Sequence, residues 1–235
     1  MTGSWEGQQA AQGAGTGKVM VCTPFKESVV YGEWALKLPR ILAKIPNGWE
    51  FASAKGMPVD HARNAIVQRT LESGCEWLFW LDCDVVPKDD DCVARLLQHR
   101  QPIMSGLYFG KKHEGWFPAA WVKREDKGKT MYSPLKPDLK DGLYQVDCVG
   151  AGFMVVHRSV YEKMKPPWYL YTKHSYDEKT GELRNDDATM SEDFWFNIKA
   201  KKELNIRTII DLSVKSDHCG IMKICADGVV RLTDP

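Results

Sequence analysis

Apolar runs and amphipathic stretches alternate along the first half of the chain. The run Trp77–Leu81 is apolar at every position, which is typical of a strand that is covered on both faces. Strands are predicted in this half at residues 19–22, 49–54, 77–81 and 103–105. Apolar residues recur at helical spacing between these runs, so helices are predicted at residues 33–45, 60–74 and 89–99. Strands that alternate with helices predict an α/β fold built on a parallel sheet.

The pattern changes after Gly106, where aromatic and proline-containing pieces predict loops and hairpins. Later strands are predicted at residues 144–149, 153–156 and 207–210. A short helix is predicted after Ser159, a longer one over residues 191–202, and loop-like chain after Asp211. We therefore predict a three-layer α/β/α sandwich with a mostly parallel central sheet and a smaller mixed β elaboration in the C-terminal half.

Composition narrows the functional classes. The chain has 235 residues with 32 Lys and Arg against 31 Asp and Glu, so no basic excess indicates a nucleic-acid partner. Its seven cysteines are odd in number and contain no C-x-x-C pair, which indicates a reducing compartment. No apolar run approaches the roughly 18 residues that a membrane-spanning helix needs. We expect a cytoplasmic protein in which residues 1–17 form a flexible tail and residues 18–235 form one domain.

Two carboxylates follow the most apolar strand. Asp82 and Asp84 come directly after Leu81, at the end of a parallel strand where ligands of α/β sheets bind. Carboxylates there can hold Mg²⁺ or Mn²⁺, which prefer oxygen ligands together with substrate phosphates. The run 89–91 is also acidic, but it opens a predicted helix and there complements the helix dipole. The pair after Leu81 therefore predicts a metal or phosphate site.

Several segments together resemble a known enzyme family. They are residues 62–64, 74–87, 149–158 and 191–196. Their order is similar to that in glycosyltransferases of the GT-A fold, closest to the large inverting family with D-x-D and Glu-Asp motifs. The resemblance spans roughly residues 18–220. It implies a nucleotide-binding half over residues 18–106 and an acceptor and metal half over residues 107–235.

The resemblance implies a role for individual residues. The nucleotide-sugar, a UDP- or GDP-sugar, would contact Thr23, Pro24, Arg63, Asp82, Cys83, Gly150 and Gly152. Mn²⁺ or Mg²⁺ would be held by Asp82, Asp84 and His218. Asp193 would be the general base toward a carbohydrate or other hydroxyl acceptor, with Glu192 beside it. The expected function is metal-dependent transfer of a sugar, with inversion at the anomeric carbon.

Other interpretations remain open at this point. A phosphatase or phosphotransferase of the haloacid-dehalogenase type also places D-x-D after an apolar strand, with Asp82 as the nucleophile and Asp84 as the acid-base group. A non-catalytic nucleotide-sugar-binding module is a third class. Glu192 and Asp193 can simply favour a helix start behind a Ser191 cap, and His218 can be an ordinary loop residue.

Overall fold

The structure is a computed structural model that describes residues 17–26, 30–112, 115–126, 129–136, 139–172, 190–219, 221–224 and 230–233. Its helices are α1 Gly32–Leu42, α2 Val59–Leu71, α3 Cys92–Leu97, α4 Arg158–Lys163 and α5 Glu192–Leu204. The first strands are β1 Val19–Phe25, β2 Trp49–Lys55, β3 Trp77–Leu81, β4 Val85–Pro87, β5 Ile103–Leu107, β6 Phe109–Lys112 and β7 Gly115–Pro118. The later strands are β8 Ala120–Asp126, β9 Lys129–Pro134, β10 Leu143–Val146, β11 Cys148–Val149, β12 Phe153–His157, β13 Thr208–His218, β14 Ile221–Ile224 and β15 Val230–Thr233.

One large sheet organises the protein. Its strand order is β10-β13-β5-β12-β3-β1-β2, and β4 pairs with the far end of β13. The β1–β2, β1–β3 and β5–β13 pairings are parallel, whereas β12 lies antiparallel between β3 and β5, and β10 lies antiparallel to β13. The chain is therefore a mixed α/β fold with a strand-rich central sheet. The sheet is less uniformly parallel than predicted, because β10 and β12 run against the other strands.

Both faces of the central sheet are covered. Along β3, Leu78 and Trp80 join one core cluster, while Trp77, Phe79 and Leu81 join the other. The first cluster also contains apolar residues of α2, α4 and α5, and the second contains those of α1 and α3. All five β3 side chains are buried, as the run of apolar residues predicts. Two packed faces hold the carboxyl end of β3 in a fixed place.

The structure differs from the prediction at Gly17 and at the end of β13. Residues 1–16 lie outside the described residues, whereas Gly17 is buried against Glu76 and does not belong to a flexible tail. The predicted loop after Asp211 is wrong, because β13 continues to His218. It does so by pairing first with β5 and then, beyond a register shift, with β4.

The connections of the first three strands reverse direction across the sheet. From β1 the chain crosses by α1 to β2 on one side, and from β2 it crosses by α2 to β3 on the other side. Ligands of open α/β sheets bind at such a reversal, beyond the carboxyl ends of the strands. Within the described residues, no helix is long and apolar enough to cross a membrane.

Candidate active site

The two aspartates occupy a tight turn between β3 and β4. The Asp82 amide donates to the Gly152 carbonyl at 3.0 Å, and the Val85 amide donates to the Asp82 carbonyl at 3.0 Å. The Asp82 and Asp84 side chains remain 28% and 32% exposed. The turn thus fixes the backbone at the carboxyl end of β3 and leaves both carboxylates facing the edge where a ligand is expected.

Arg63 connects the first aspartate to the later acidic pair. Its Nη2 donates to Oδ1 and Oδ2 of Asp82 at 3.1 and 3.0 Å, and its Nε donates to Oε1 of Glu192 at 3.1 Å. The Arg63 side chain is only 3% exposed. The carboxylates raise the pKa of the guanidinium, Asp82 more than Glu192, although burial acts in the opposite direction. The structure therefore turns Arg63 toward protein carboxylates, and its predicted contact with the nucleotide stays a prediction.

Asp193 lies beside this bridge and has different partners. Its Oδ1 accepts hydrogen bonds from the Ser191 hydroxyl and from the Phe194 amide. Burial and the neighbouring Glu192 carboxylate raise the pKa of Asp193 to about 6, against the hydrogen bond from Ser191 and the charge of Arg63. Ser191 stands at the cap position of α5, but its hydroxyl makes no capping bond. A carboxyl group with this pKa is suited to accept a proton near neutral pH.

Burial also raises the pKa of Asp82, and the charge of Asp84 adds to that effect while Arg63 opposes it. The thiol of Cys83 between them has a pKa raised to about 11, first by burial and then by the two aspartates. Cys83 is therefore a neutral thiol near pH 7. Its predicted contact with the nucleotide-sugar stays a prediction.

Asp84 meets His218, the late histidine of the sequence. Antiparallel pairing sets His218 opposite Val85, and Nε2 of His218 lies 3.1 Å from Oδ2 of Asp84. The other ring nitrogen, Nδ1, lies 2.7 Å from the Phe109 carbonyl oxygen. Because a carbonyl can only accept, Nδ1 carries the hydrogen of that bond. A histidine that binds a metal usually donates its second ring N–H to such an oxygen.

These contacts allow a test of whether a divalent cation fits. Across the described ranges, no three or more His, Cys, Asp or Glu side chains form a group that could hold a metal ion. Asp84 and His218 form a pair whose facing atoms, Oδ2 and Nε2, suit one ion, whereas both Asp82 oxygens already accept from Arg63. Mg²⁺ and Mn²⁺ in nucleotide sites often take only one or two protein ligands, with water and phosphate oxygens completing the shell. Asp84 and His218 therefore offer two candidate ligands to a cation, and the predicted metal stays a prediction.

The predicted glycines pack against the site. A Cβ atom on Gly152 would lie 2.9 Å from Oδ2 of Asp82, and one on Gly150 would lie 1.9 Å from the Tyr108 hydroxyl oxygen. That hydroxyl also accepts a hydrogen bond from the Gly152 amide at 3.3 Å. Both positions thus exclude a side chain because Asp82 and Tyr108 occupy the space. Their predicted role along a sugar cleft stays a prediction.

Thr23 and Pro24 lie near the carboxyl end of β1, next to β3 in the sheet. Thr23 is fully buried, and its hydroxyl has no hydrogen-bond partner among the described residues. The predicted contact of Thr23 with the nucleotide stays a prediction. Pro24 is half-buried and is the more accessible of the two.

Sequence reasoning missed several residues around the site. Tyr108 directly follows β5 at the same edge of the sheet. Its place just after a predicted strand was the sequence signal that could have identified it as a site residue. Ser191 was interpreted as a helix cap, and only the folded structure shows its bond to Asp193. The rings of Trp80 and Tyr169 lie against Arg63, at 5.1 and 5.9 Å from its Cζ atom to the ring centres.

Comparisons with known proteins identify a shared fold but assign this chain to no family. No family model matches the sequence. The DNA polymerase alpha catalytic subunit of Oxytricha trifallax is 39% identical over 49 residues, which are 21% of this chain and 3% of that protein. The chain thus spans only a small part of that curated relative, and so short a match shows no common family.

Among solved structures, A197 from STIV aligns with a TM-score of 0.56 at 22% identity, over 93% of this chain and 95% of that chain. UDP-glucose pyrophosphorylase aligns with TM-scores of 0.40 without ligand and 0.39 in complex with UDP-glucose, at 15% and 16% identity. Each of these covers 85% of this chain and 74% of that chain, and neither is similar enough to carry an argument. The likeness to A197 shows that this chain shares its α/β fold.

Proposed function

We propose that this protein is a glycosyltransferase of the GT-A type that moves a sugar from a nucleotide-sugar to an acceptor hydroxyl, with a divalent cation and with inversion. The observation that carries the proposal is the convergence of distant acidic segments at one sheet edge. Asp82 and Asp84 end β3, and Arg63 ties Asp82 to Glu192, 110 residues later in the chain. A site for sugar transfer needs both a place for the diphosphate and a base for the acceptor.

The cation would be held by Asp84 and His218, and its charge would neutralise the diphosphate that leaves. Asp84 supplies the hard oxygen ligand, and the bond from Nδ1 of His218 to the Phe109 carbonyl orients the ring. A histidine ligand favours Mn²⁺ over Mg²⁺. Asp82 keeps both oxygens on Arg63 and supports the same edge beside the cation, which leaves the metal to Asp84 and His218.

Asp193 is the proposed base. Its raised pKa of about 6 leaves it ionised at neutral pH yet basic enough to accept a proton from a hydroxyl as the sugar bond forms. The Ser191 hydroxyl and the Phe194 amide fix the orientation of its Oδ1. Attack from the side opposite the leaving diphosphate then gives inversion.

The phosphatase alternative has weaker support from the geometry. Its nucleophile would be Asp82, but both Asp82 oxygens accept hydrogen bonds from a buried arginine. The remaining acidic candidate for that site, Asp211, accepts hydrogen bonds from His99 and Ser213 and is 7% exposed in its side chain. Both carboxylates are therefore occupied by structural contacts.

The test is release of nucleoside diphosphate from UDP-glucose, UDP-N-acetylglucosamine and GDP-mannose, with Mn²⁺, with Mg²⁺ and with chelator. We expect metal-dependent release from at least one donor by the native protein and loss of release in Asp84→Asn. Asp141→Asn, which changes an exposed partner of Lys215, is the control and should match the native protein. Absence of release from every donor, or equal release in chelator, would refute the proposal, and phosphate trapped on Asp82 would establish the phosphatase alternative.

A further inference from the structure

The α2 segment Ala62-Arg63-Asn64 contacts residues from several distant parts of the chain. Arg63 points inward from α2, between the Trp80 and Tyr169 rings, with its charged group against two carboxylates from other parts of the chain. Its next neighbour, Asn64, accepts from the Trp168 and Tyr169 amides and donates to the Tyr169 carbonyl. Helix α2 therefore fixes the position of the Arg63 guanidinium and, through Asn64, that of Tyr169, whose ring lies against it.

The bridge divides the acidic residues into two groups. Arg63 donates to both oxygens of Asp82 and to Oε1 of Glu192, so these two carboxylates share one cation. Asp193 instead accepts hydrogen bonds from Ser191 and Phe194, and the charge of Arg63 lowers its pKa. Glu192 is thereby engaged as a partner of the arginine, and Asp193 is the carboxylate left for proton transfer.

We infer that Arg63 is a positioning residue of the proposed transfer reaction, holding Asp82 and Glu192 in one bridged unit so that Asp193 alone accepts the proton of the acceptor. The inference rests on the proposed function. It assigns Nε and Nη2 of Arg63 to the protein carboxylates.

Two observations favour positioning over mere support of the fold. A buried guanidinium is stabilised when all its N–H groups are paired, yet Nη1 of Arg63 has no hydrogen-bond partner in the part of the chain that the structure describes. In addition, the contacts use two different nitrogens of a planar group, Nε for Glu192 and Nη2 for Asp82. A lysine ammonium carries the same charge but lacks this planar fork, so it does not hold both carboxylates in the same fixed geometry.

Arg158 provides a matched control. Its side chain is partly buried, at 23% exposed, and it donates to the backbone carbonyls of Leu71, Ser73 and Cys75 and to Glu162. These contacts hold the turn before β3, at the opposite end of that strand from the acidic residues. Arg158→Lys therefore removes a comparable fork without touching Asp82 or Glu192.

The experiment compares Arg63→Lys, Arg63→Met and Arg158→Lys by melting temperature, by kcat and KM for diphosphate release, and by the pH dependence of kcat. The probe is whichever of UDP-glucose, UDP-N-acetylglucosamine and GDP-mannose the native protein cleaves fastest in Mn²⁺. We expect Arg63→Lys to lower kcat on the order of 100-fold with a smaller change in KM, because misplaced catalytic groups cost about that factor. Arg158→Lys should lose a similar amount of thermal stability and keep the native kcat.

The pH dependence of kcat distinguishes the effect of the Arg63 charge from the effect of its hydrogen-bond geometry. Arg63→Met removes a cation that lowers the pKa of Asp193, so the acid limb of kcat should move to higher pH, while Arg63→Lys should leave the limb in place. If Arg63→Lys keeps the native kcat, or if Arg158→Lys loses as much kcat at equal stability, the inference is overturned while the proposed function stands. If the native protein cleaves none of the three donors, both are overturned.

Discussion

Glu192 and Asp193 are neighbours at the start of α5, yet their carboxylates have different partners. Oε1 of Glu192 accepts a hydrogen bond from Nε of Arg63 at 3.1 Å, whereas Oδ1 of Asp193 accepts from Ser191 and Phe194. Glu192 is buried and contributes a charge that raises the pKa of Asp193. Glu192 therefore raises the pKa of its neighbour Asp193. This effect gives predictions for turnover and for stability.

Asp193→Asn should abolish most of the turnover. An amide cannot accept the proton, and the loss of a positioned base lowers a rate by about 10²- to 10⁴-fold. In the native protein, kcat should fall as the pH drops through about 6, where Asp193 becomes protonated. Measurement of diphosphate release between pH 5 and about 8 checks both points. An unchanged rate in the variant would remove Asp193 from the base role.

Glu192→Gln should move that acid limb to lower pH. The Glu192 charge raises the pKa of Asp193, so its removal lets Asp193 ionise more easily. The same change takes a carboxylate away from buried Arg63 and should lower the melting temperature. A limb that stays in place would show that the two carboxylates do not interact as their positions suggest.

The same Asp193→Asn change should stabilise the folded protein. The pKa of Asp193 is higher in the folded state than its ordinary value of 3.8, so the folded state binds more protons over the range from about 4 to about 6. Stability is therefore lost as the pH rises through this window. The variant should gain on the order of 1–3 kcal/mol in free energy of unfolding near pH 8, and that gain should vanish below about pH 4. Urea unfolding at both pH values measures it, and a variant less stable at the higher pH would contradict the assigned shift.

Gly152→Ala should damage the site more than the fold. The new methyl group would lie 2.9 Å from Oδ2 of Asp82 and would push that carboxylate away from Arg63. We expect a loss of turnover on the order of 100-fold with a modest drop in melting temperature. Gly74→Ala is the control, since its Cβ atom would meet nothing within 4 Å. Equal turnover in the two variants would show that the position of Asp82 is unimportant.

His218→Ala should remove the effect of Mn²⁺ without removing the fold. In the native protein, UDP together with Mn²⁺ should raise the melting temperature more than UDP alone, because a ligand that binds only the folded state stabilises it. The variant should lose this difference, and His61→Ala, at an exposed position, should keep it. A metal effect that survives in His218→Ala would exclude the histidine as a ligand.

The sequence predicts the framework better than it predicts the contacts of the site. The run Trp77–Leu81 is a strand with the predicted bounds, and five consecutive apolar residues are typical of a strand buried on both faces. The second half of β13 was missed. Its polar residues resemble a loop, but Leu212 and Val214 alternate with them and are buried. Pairing with β4 then brings His218 to Asp84.

No sequence pattern near Arg63 indicates its hydrogen bonds to Asp82 and Glu192. Arg63 and Asp82 are 19 positions apart, and Arg63 and Glu192 are 129 apart, so only the packing of α2 and α5 on one face of the sheet joins them. A single sequence shows three separate charged residues there. Its resemblance to a sugar-transferase family gave each a role toward substrate, whereas the folded chain directs Arg63 to its own carboxylates.

The cation site is tested most directly by a crystal soaked with UDP and MnCl₂ and examined for the anomalous scattering of manganese. We expect one manganese peak in contact with Oδ2 of Asp84 and Nε2 of His218, with diphosphate oxygens completing its coordination. Bound UDP with no manganese at that position, or manganese held elsewhere, would contradict a metal-dependent nucleotide-sugar site at the end of β3.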